Sequence, residues 1–358
     1  MRVLMPVSYQ APSGGLLDHV RSLALRAPSF GNEVTVAGRD SEFLQGLARE
    51  GIETIVCNFE DPERALATVS ENGFDWDLVH AHPFGSRKFG VLAAQKYGKP
   101  LVVTIHGWYD DQIDRWYETA TTVIAVSPAI SSRLRATAPG AGEKIITIPN
   151  GIKAAANAID ERAALTPPYT LTVASRIDAD FDALGETLLD FVAEAQEHND
   201  QRWRISIAGA GTHRESFIRR AAIVSTRRRG PEIEFLGWLD TPQLRRLYAG
   251  SFAAIAPGRS AVDAMASGVP TVMTRQIGSY STLGATPVLE HFYGAPNKRL
   301  TGLDLYAQLS ELATDGERWR SLSRGLRKAT QLFYDDDIWQ QVTNGVYEYA
   351  ALSARRAR

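Results

Sequence analysis

Ala253-Ala254-Ile255-Ala256-Pro257-Gly258-Arg259-Ser260-Ala261-Val262-Asp263-Ala264-Met265-Ala266-Ser267-Gly268-Val269-Pro270-Thr271-Val272 is the stretch on which the reading of this chain turns. It reads as a buried strand, a Gly/Arg turn, a short helix with one inward carboxylate, then Gly-Val-Pro and a second strand. That order places Asp263 at the carboxyl edge of a parallel sheet, where open α/β folds bind nucleotides. The competing reading makes Asp263 a helix N-cap and nothing more.

The same grammar extends outward. Short, near-continuously apolar runs stand at Val3–Val7, Val34–Ala37, Thr54–Cys57, Leu78–Ala81, Leu101–Ile105, Val123–Val126 and Ile145–Ile148, then at Leu171–Ala174, Ile205–Ala208, Glu234–Leu236, Ala253–Ala256 and Thr271–Met273. Helical stretches separate them, which suits parallel sheets covered on both faces. The fold class is α/β, two Rossmann-like domains in series. The boundaries are 1–165, 166–332 and 333–358, with an Ala-rich linker ending in Pro167-Pro168. The last segment is a helix, with Ile338, Val342, Val346 and Tyr349 at helical spacing and Asp337 as its N-cap.

At 358 residues the chain is natural for two cores. A net charge of -2 leaves no nucleic-acid footprint. The single cysteine, Cys57, excludes an internal disulfide and fits a reducing compartment. The start is too short and too soon polar for a signal peptide, and no apolar run approaches the ~20 residues of a membrane span. The expectation is a cytoplasmic protein. Arg227-Arg228-Arg229 reads as a solvated charge run, with peripheral membrane docking as its alternative.

Several strand ends carry residues suited to chemistry. Gly14-Gly15 opens a helix after the first strand, either cradling an anion with backbone N–H groups or making a plain tight turn. Thr104-Ile105-His106-Gly107 ends a strand, and Trp108-Tyr109-Asp110-Asp111 follows with aromatic faces and carboxylates that suit a sugar-like or amine acceptor, or an ordinary surface loop. His80 and His82 share a strand face, and no third ligand at matching spacing makes them a metal site. Ala208-Gly209-Ala210-Gly211 is a second strand-to-glycine turn.

Taken together, Gly14-Gly15-x-x-x-His19-Val20, the His106-Gly107 strand end, Ser175-Arg176-Ile177 and Asp263-Ala264-Met265-Ala266-x-Gly268-x-Pro270 resemble the GT-B glycosyltransferases, family 4 (group 1) in particular. The resemblance implies two Rossmann-like domains facing each other across a cleft, the last helix returning to the first domain. It implies retaining transfer of a sugar, hexosyltransferase in type, from a nucleotide diphosphate sugar to a hydroxyl or amine acceptor. No metal or other cofactor is implied, and a UDP-linked donor is expected. By the same resemblance His106 touches the donor sugar, Arg176 neutralises the leaving diphosphate, Gly14 and Gly15 lie over it, Gly209 and Gly211 shape the nucleotide pocket, and Asp263 receives the ribose hydroxyls.

The chain departs from the family twice. The usual pattern has a first Glu eight residues before the second acid, where Ile255 stands, and a Lys five residues after the Arg, where Phe181 stands. Arg259 then becomes the candidate replacement cation, and backbone N–H groups around Gly258 the candidate donors to the sugar. A catalytically inactive GT-B module binding a partner or ligand is the alternative that these departures raise. The oligomeric state is not written in the sequence.

Overall fold

The structure is a computed structural model, and it describes residues 1–9, 14–71, 73–153, 159–226, 228–274, 288 and 301–356. The chain forms two compact units, Met1–Gly151 with Asp336–Arg358, and Ile152–Asp335.

The first unit runs β1 (Arg2–Val7), α1 (Gly15–Arg26), β2 (Glu33–Gly38), α2 (Glu42–Arg49), β3 (Glu53–Val56), α3 (Pro62–Val69), β4 (Leu78–Ala81), α4 (Gly85–Tyr97), β5 (Leu101–Ile105), β6 (Thr122–Ala125), α5 (Pro128–Thr137) and β7 (Ile145–Thr147). All seven strands are parallel, in the order β3-β2-β1-β4-β5-β6-β7. Every residue of β4, β5 and β6 is buried, so their apolar runs answer to helices on both faces rather than to alternation. Helix starts follow capping chemistry: Ser41, Asp61 and Ser127 each accept from a backbone N–H two or three residues into the helix.

The second unit runs α6 (Glu161–Ala164), β8 (Tyr169–Ala174), α7 (Asp182–Glu197), β9 (Trp203–Ala208), α8 (Arg214–Ser225), β10 (Glu232–Gly237), α9 (Thr241–Ala249), β11 (Ala253–Pro257), α10 (Gly258–Ser267), β12 (Thr271–Thr274), α11 (Gly302–Ala313) and α12 (Gly316–Tyr334). Its parallel sheet has the order β10-β9-β8-β11-β12. Trp203, Phe191, Phe252 and Trp319 fill its core, each side chain worth about 2–3 kcal/mol of burial. No helix among the described residues is long and apolar enough to cross a membrane.

All twelve expected strands form, with ends shifted by no more than two residues. The boundary differs from residue 165. Ile152 N–H already bonds to the Tyr334 carbonyl, and Asp160 caps α6 while its own N–H bonds to the Ala249 carbonyl, so the segment after Gly151 is tied to the second unit. Residues 154–158 of the expected linker lie outside the described residues.

The final helix, α13 (Asp336–Arg356), belongs to the first unit. One expectation about it is corrected. It begins at Asp336, so Asp337 is inside it rather than capping it, and Asp337 pairs with Arg26. Asp336 is the buried residue and receives the Ser22 hydroxyl. Of its face residues, Gln340, Thr343, Val346, Tyr347 and Ala350 are buried, whereas Ile338, Val342 and Tyr349 are exposed. Polar anchors decide this, since Gln340 donates to Ser22, Asn32 to Asn344, and Tyr347 reaches His80.

Candidate active site

In an open parallel sheet a ligand crevice lies beyond the carboxyl ends of the strands where their order reverses. That point falls between β1 and β4 in the first unit and between β8 and β11 in the second.

The first reversal point is lined by histidines. His82 follows β4 and His106 follows β5, their Nδ1 and Nε2 atoms 2.9 Å apart. The Asn150 amide donates to His106 Nδ1 at 3.4 Å. With that amide as it stands, His106 carries its proton on Nε2 and donates to His82. His19, from α1, meets His106 edge-on at 5.1 Å between ring centres. Deeper in the sheet His80 Nδ1 lies 2.6 Å from the Tyr347 hydroxyl and its Nε2 2.7 Å from Thr104 Oγ1. Burial drives the His80 pKa down to about 3. Burial, together with its histidine neighbours His80 and His106, holds His82 well below the usual range. Both are therefore neutral imidazoles at neutral pH. No group of three His, Cys, Asp or Glu among the described residues is arranged to hold a metal ion.

Gly14 caps α1 with φ 148, a conformation that L side chains rarely adopt. A Cβ there would also meet the Tyr9 hydroxyl at 3.0 Å. Gly15 is the first helical residue, so both glycines stand at a positive helix end; the residues just before them, 10–13, lie outside the described residues.

The loop after His106 is more constructed than an ordinary surface loop. Asp111 takes a buried bidentate ion pair from Arg87 at 3.0 Å and the half-buried Phe84 N–H at 3.0 Å, and its own carbonyl receives the Trp116 indole. Tyr109 folds back on Gly107, where a Cβ would lie 2.5 Å from its ring. Burial pushes its phenol pKa up, against the opposing pull of the His106 backbone N–H. Trp108 is 54% exposed, with the Arg133 guanidinium 5.3 Å over its ring, and Arg133 also pairs with Asp110 at 3.6 Å. Of the expected acceptor residues, Trp108 and Asp110 thus share one arginine, and Tyr109 is engaged within its own loop.

The second reversal point is charged. β11 runs through Pro257 and α10 begins at Gly258, so there is no loop between strand and helix. Ile255 stays in the strand where the sequence places it, a core residue of β11 that is 1% exposed, so its side chain is packed and not presented to a ligand. Pro257 gives α10 no side-chain cap, which leaves its first N–H groups to an outside partner. Asp263 sits in the second turn, so it is not an N-cap. Its buried carboxylate accepts from Arg245 at 2.9 Å and lies 3.9 Å from Arg259 Nε. The buried Tyr248 hydroxyl donates to the Ser260 carbonyl, and burial with Asp263 nearby keeps that phenol protonated.

Arg176 follows β8 and is half exposed, pairing with Asp178 at 3.3 Å and Asp180 at 3.6 Å. Phe181 is 2% exposed, packed edge-on against Phe217 in the core of the unit. It replaces the expected Lys without entering a site. Gly209 and Gly211 have a packing role: a Cβ on Gly209 would lie 1.9 Å from the Ser175 carbonyl oxygen, and one on Gly211 2.3 Å from that of Ile177. Their turn is pressed against the turn that carries Arg176. Arg228 pairs with Glu197 at the surface, and Arg227 lies outside the described residues.

Sequence reasoning missed Arg245 and the Arg87–Asp111 pair. Arg245 is one of two adjacent arginines on a polar helix, and nothing in the spacing says which one turns inward. His19 was quoted as part of the Gly-Gly motif, and only the fold shows that its ring reaches His106.

Two family models match: Glycosyltransferase Family 4 over residues 13–155 and Glycosyl transferases group 1 over residues 168–289. The chain belongs to the GT-B glycosyltransferases. This glycosyltransferase is 27% identical to glycogen synthase of Mycobacterium tuberculosis, over 78% of each chain. Its fold is similar to that of Anabaena HepE in complex with UDP and glucose, with a TM-score of 0.73 at 17% identity over 98% of this chain and all of that one. It is similar also to sucrose-phosphate synthase of Thermosynechococcus elongatus, with a TM-score of 0.72 at 16% identity over 98% and 99% of the two chains.

Proposed function

We propose that this glycosyltransferase takes a sugar from a UDP-linked donor and passes it, with retention of anomeric configuration, to a hydroxyl or amine acceptor. The observation that carries the donor assignment is the uncapped N-terminus of α10 at the β8/β11 reversal, set directly on its strand and flanked by arginines. Helix N–H groups and their dipole favour an anion there. Arg259 and Arg245 meet at the Asp263 carboxylate, two guanidiniums of the kind that bind a diphosphate. Arg176 joins them when the diphosphate draws it from its exposed acids. Asp263 holds the two arginines and offers its remaining oxygen capacity to a ribose hydroxyl. The Anabaena relative, described as a complex with UDP and glucose, supports a UDP donor.

The first unit supplies the acceptor side, with His106 toward the transferred sugar and Trp108 and Asp110 at the rim. In the retaining reaction a phosphate oxygen of the departing UDP takes the acceptor's proton, so no carboxylate nucleophile is needed. The cations stabilise the charge that grows on the leaving group, a contribution of several kcal/mol when preorganised.

Calorimetry with UDP and with UDP-sugars tests the donor site, and Asp263→Ala is expected to weaken UDP binding about tenfold or more. Absence of binding at millimolar UDP overturns it. The direct β11–α10 junction favours a second reading, a module that binds a nucleotide or partner without transfer. Slow donor hydrolysis separates the two: nucleotide binding without hydrolysis of any common nucleotide sugar supports the binding module.

A further inference from the structure

The way α13 is anchored leaves a patterned outer face. Ile338, Val342, Gly345, Tyr349 and Leu352 follow one another at spacings of four, three, four and three, the 3.5-residue repeat of a helix-to-helix seam. The large residues are 54%, 40%, 61% and 56% exposed in that order. Gly345 is exposed too, and a Cβ there would meet nothing within 4 Å. A glycine in mid-helix costs about 1 kcal/mol relative to alanine, and no contact within the unit requires it.

The stripe is symmetric about that glycine. Ile338 and Leu352 lie seven residues to either side, and Val342 and Tyr349 three before and four after. Laid antiparallel on a copy of itself, the helix sets Gly345 on Gly345, Ile338 on Leu352, and Val342 on Tyr349. The charges follow the same symmetry. Asp337 and Arg355 are 18 residues apart, five helical turns, and so share one flank. Across the pair each Asp337, already held on one side by Arg26, faces the copy's Arg355. Gln341 and Glu348, on that same flank, face each other likewise.

We propose that α13 is a homodimer interface, in which a second copy of the chain packs its own α13 antiparallel across this stripe on a two-fold axis at Gly345. A two-fold contact must be self-complementary, and this surface is so in shape and in charge. The missing Cβ lets the two helix axes approach where they cross. One helix pair buries less than the ~1,600 Å² of a standard interface, so the dimer forms in a concentration-dependent way and dissociates on dilution.

Sedimentation velocity across loadings from roughly 1 to 200 μM, bracketing a micromolar dissociation constant, tests this. The wild-type chain is expected to approach twice its 39.3 kDa mass at the upper end. Val342→Lys and Tyr349→Glu alter exposed side chains, so circular dichroism is expected to stay native while dimerisation weakens at least about tenfold. Gly345→Cys is expected to give a disulfide-linked dimer on oxidation, the native Cys57 being buried. Three results overturn the proposal: a monomer at every loading, a dimer that Val342→Lys leaves unchanged, or self-linking of Ile338→Cys where Gly345→Cys fails. A monomer that binds phosphatidylglycerol vesicles through the stripe also overturns it, and assigns the face to lipid.

Discussion

The two sheets reverse their strand order at matching places, β1/β4 in one unit and β8/β11 in the other, and each reversal is followed by a glycine-opened helix. The chemistry collected there is opposite. The first edge holds imidazoles, with His80 and His82 kept neutral by burial and His82 joined ring to ring with His106; the second holds guanidiniums gathered around a buried carboxylate. The scaffold provides the position, and the side chains arriving from neighbouring elements decide the ligand. An edge of neutral donors and acceptors suits sugar hydroxyls. An edge lined with guanidiniums suits a diphosphate.

The sharpest way to break this contrast is to remove the carboxylate. Asp263→Ala removes the buried carboxylate that Arg245 and Arg259 approach, and is expected to cost about 2–4 kcal/mol of stability, within the range for breaking a buried pair once the partial exposure of the arginines is allowed for. Asp263→Asn keeps the shape and should recover part of that. Chemical denaturation of both variants measures it, and a loss under about 0.5 kcal/mol for Asp263→Ala would show that the cluster is not a structural unit.

Next in size is Gly209→Ala. Its Cβ cannot coexist with the Ser175 carbonyl, so the two turns must separate at a cost of about 1–3 kcal/mol, and Arg176 must move with its turn. The expected outcome is lower stability together with weaker UDP binding. Lower stability with unchanged affinity would detach the Arg176 turn from the nucleotide.

The buried His80 gives the first edge an acid sensitivity of its own. The His80 pKa lies near 3 in the folded chain and near 6.5 when unfolded, so as pH falls below about 6.5 the unfolded chain takes up a proton that the folded chain refuses. Stability is fully present above that value and falls by up to about 1.4 kcal/mol per pH unit until pH approaches the folded value. His80→Phe is expected to flatten this slope between pH 6 and 4. An unchanged slope, read by urea denaturation at each pH, would place the acid sensitivity elsewhere.

How much of this was legible depended on what each residue answers to. Strands buried on both faces declare themselves as apolar runs, which is why all twelve were found. The Gly-Gly and Asp-Ala-Met-Ala strings are local, so the first could be read as a helix start and the second as helical. The Gly/Arg turn expected after Ala256 is instead the first turn of α10, because strand meets helix with no loop between them. Arg245 was invisible because its partner is 18 residues away on another helix. The buried face of α13 went to residues with polar partners, Gln340 and Tyr347, which a count of apolar residues passes over.

Arg176→Ala should have the smallest effect on stability and therefore makes the cleanest test of function. The side chain is 48% exposed and its ion pairs with Asp178 and Asp180 are surface pairs, each worth about 0–1 kcal/mol. Asp178 also takes the Thr212 N–H and hydroxyl, and those bonds do more than Arg176 to hold its pKa below the ordinary value, so it keeps its place when the arginine goes. Stability is expected to change by less than about 0.5 kcal/mol. Donor turnover is expected to fall about 100-fold or more, since a cation preorganised on a leaving group acts mainly in the transition state. The split between kcat and KM then locates the contact: a fall in kcat at constant KM means that Arg176 leaves its acids only as the diphosphate departs. A rise in KM alone means that it already holds the donor in the ground state. If turnover is unchanged, Arg176 is a surface residue, and Arg259 with Arg245 carries the diphosphate alone.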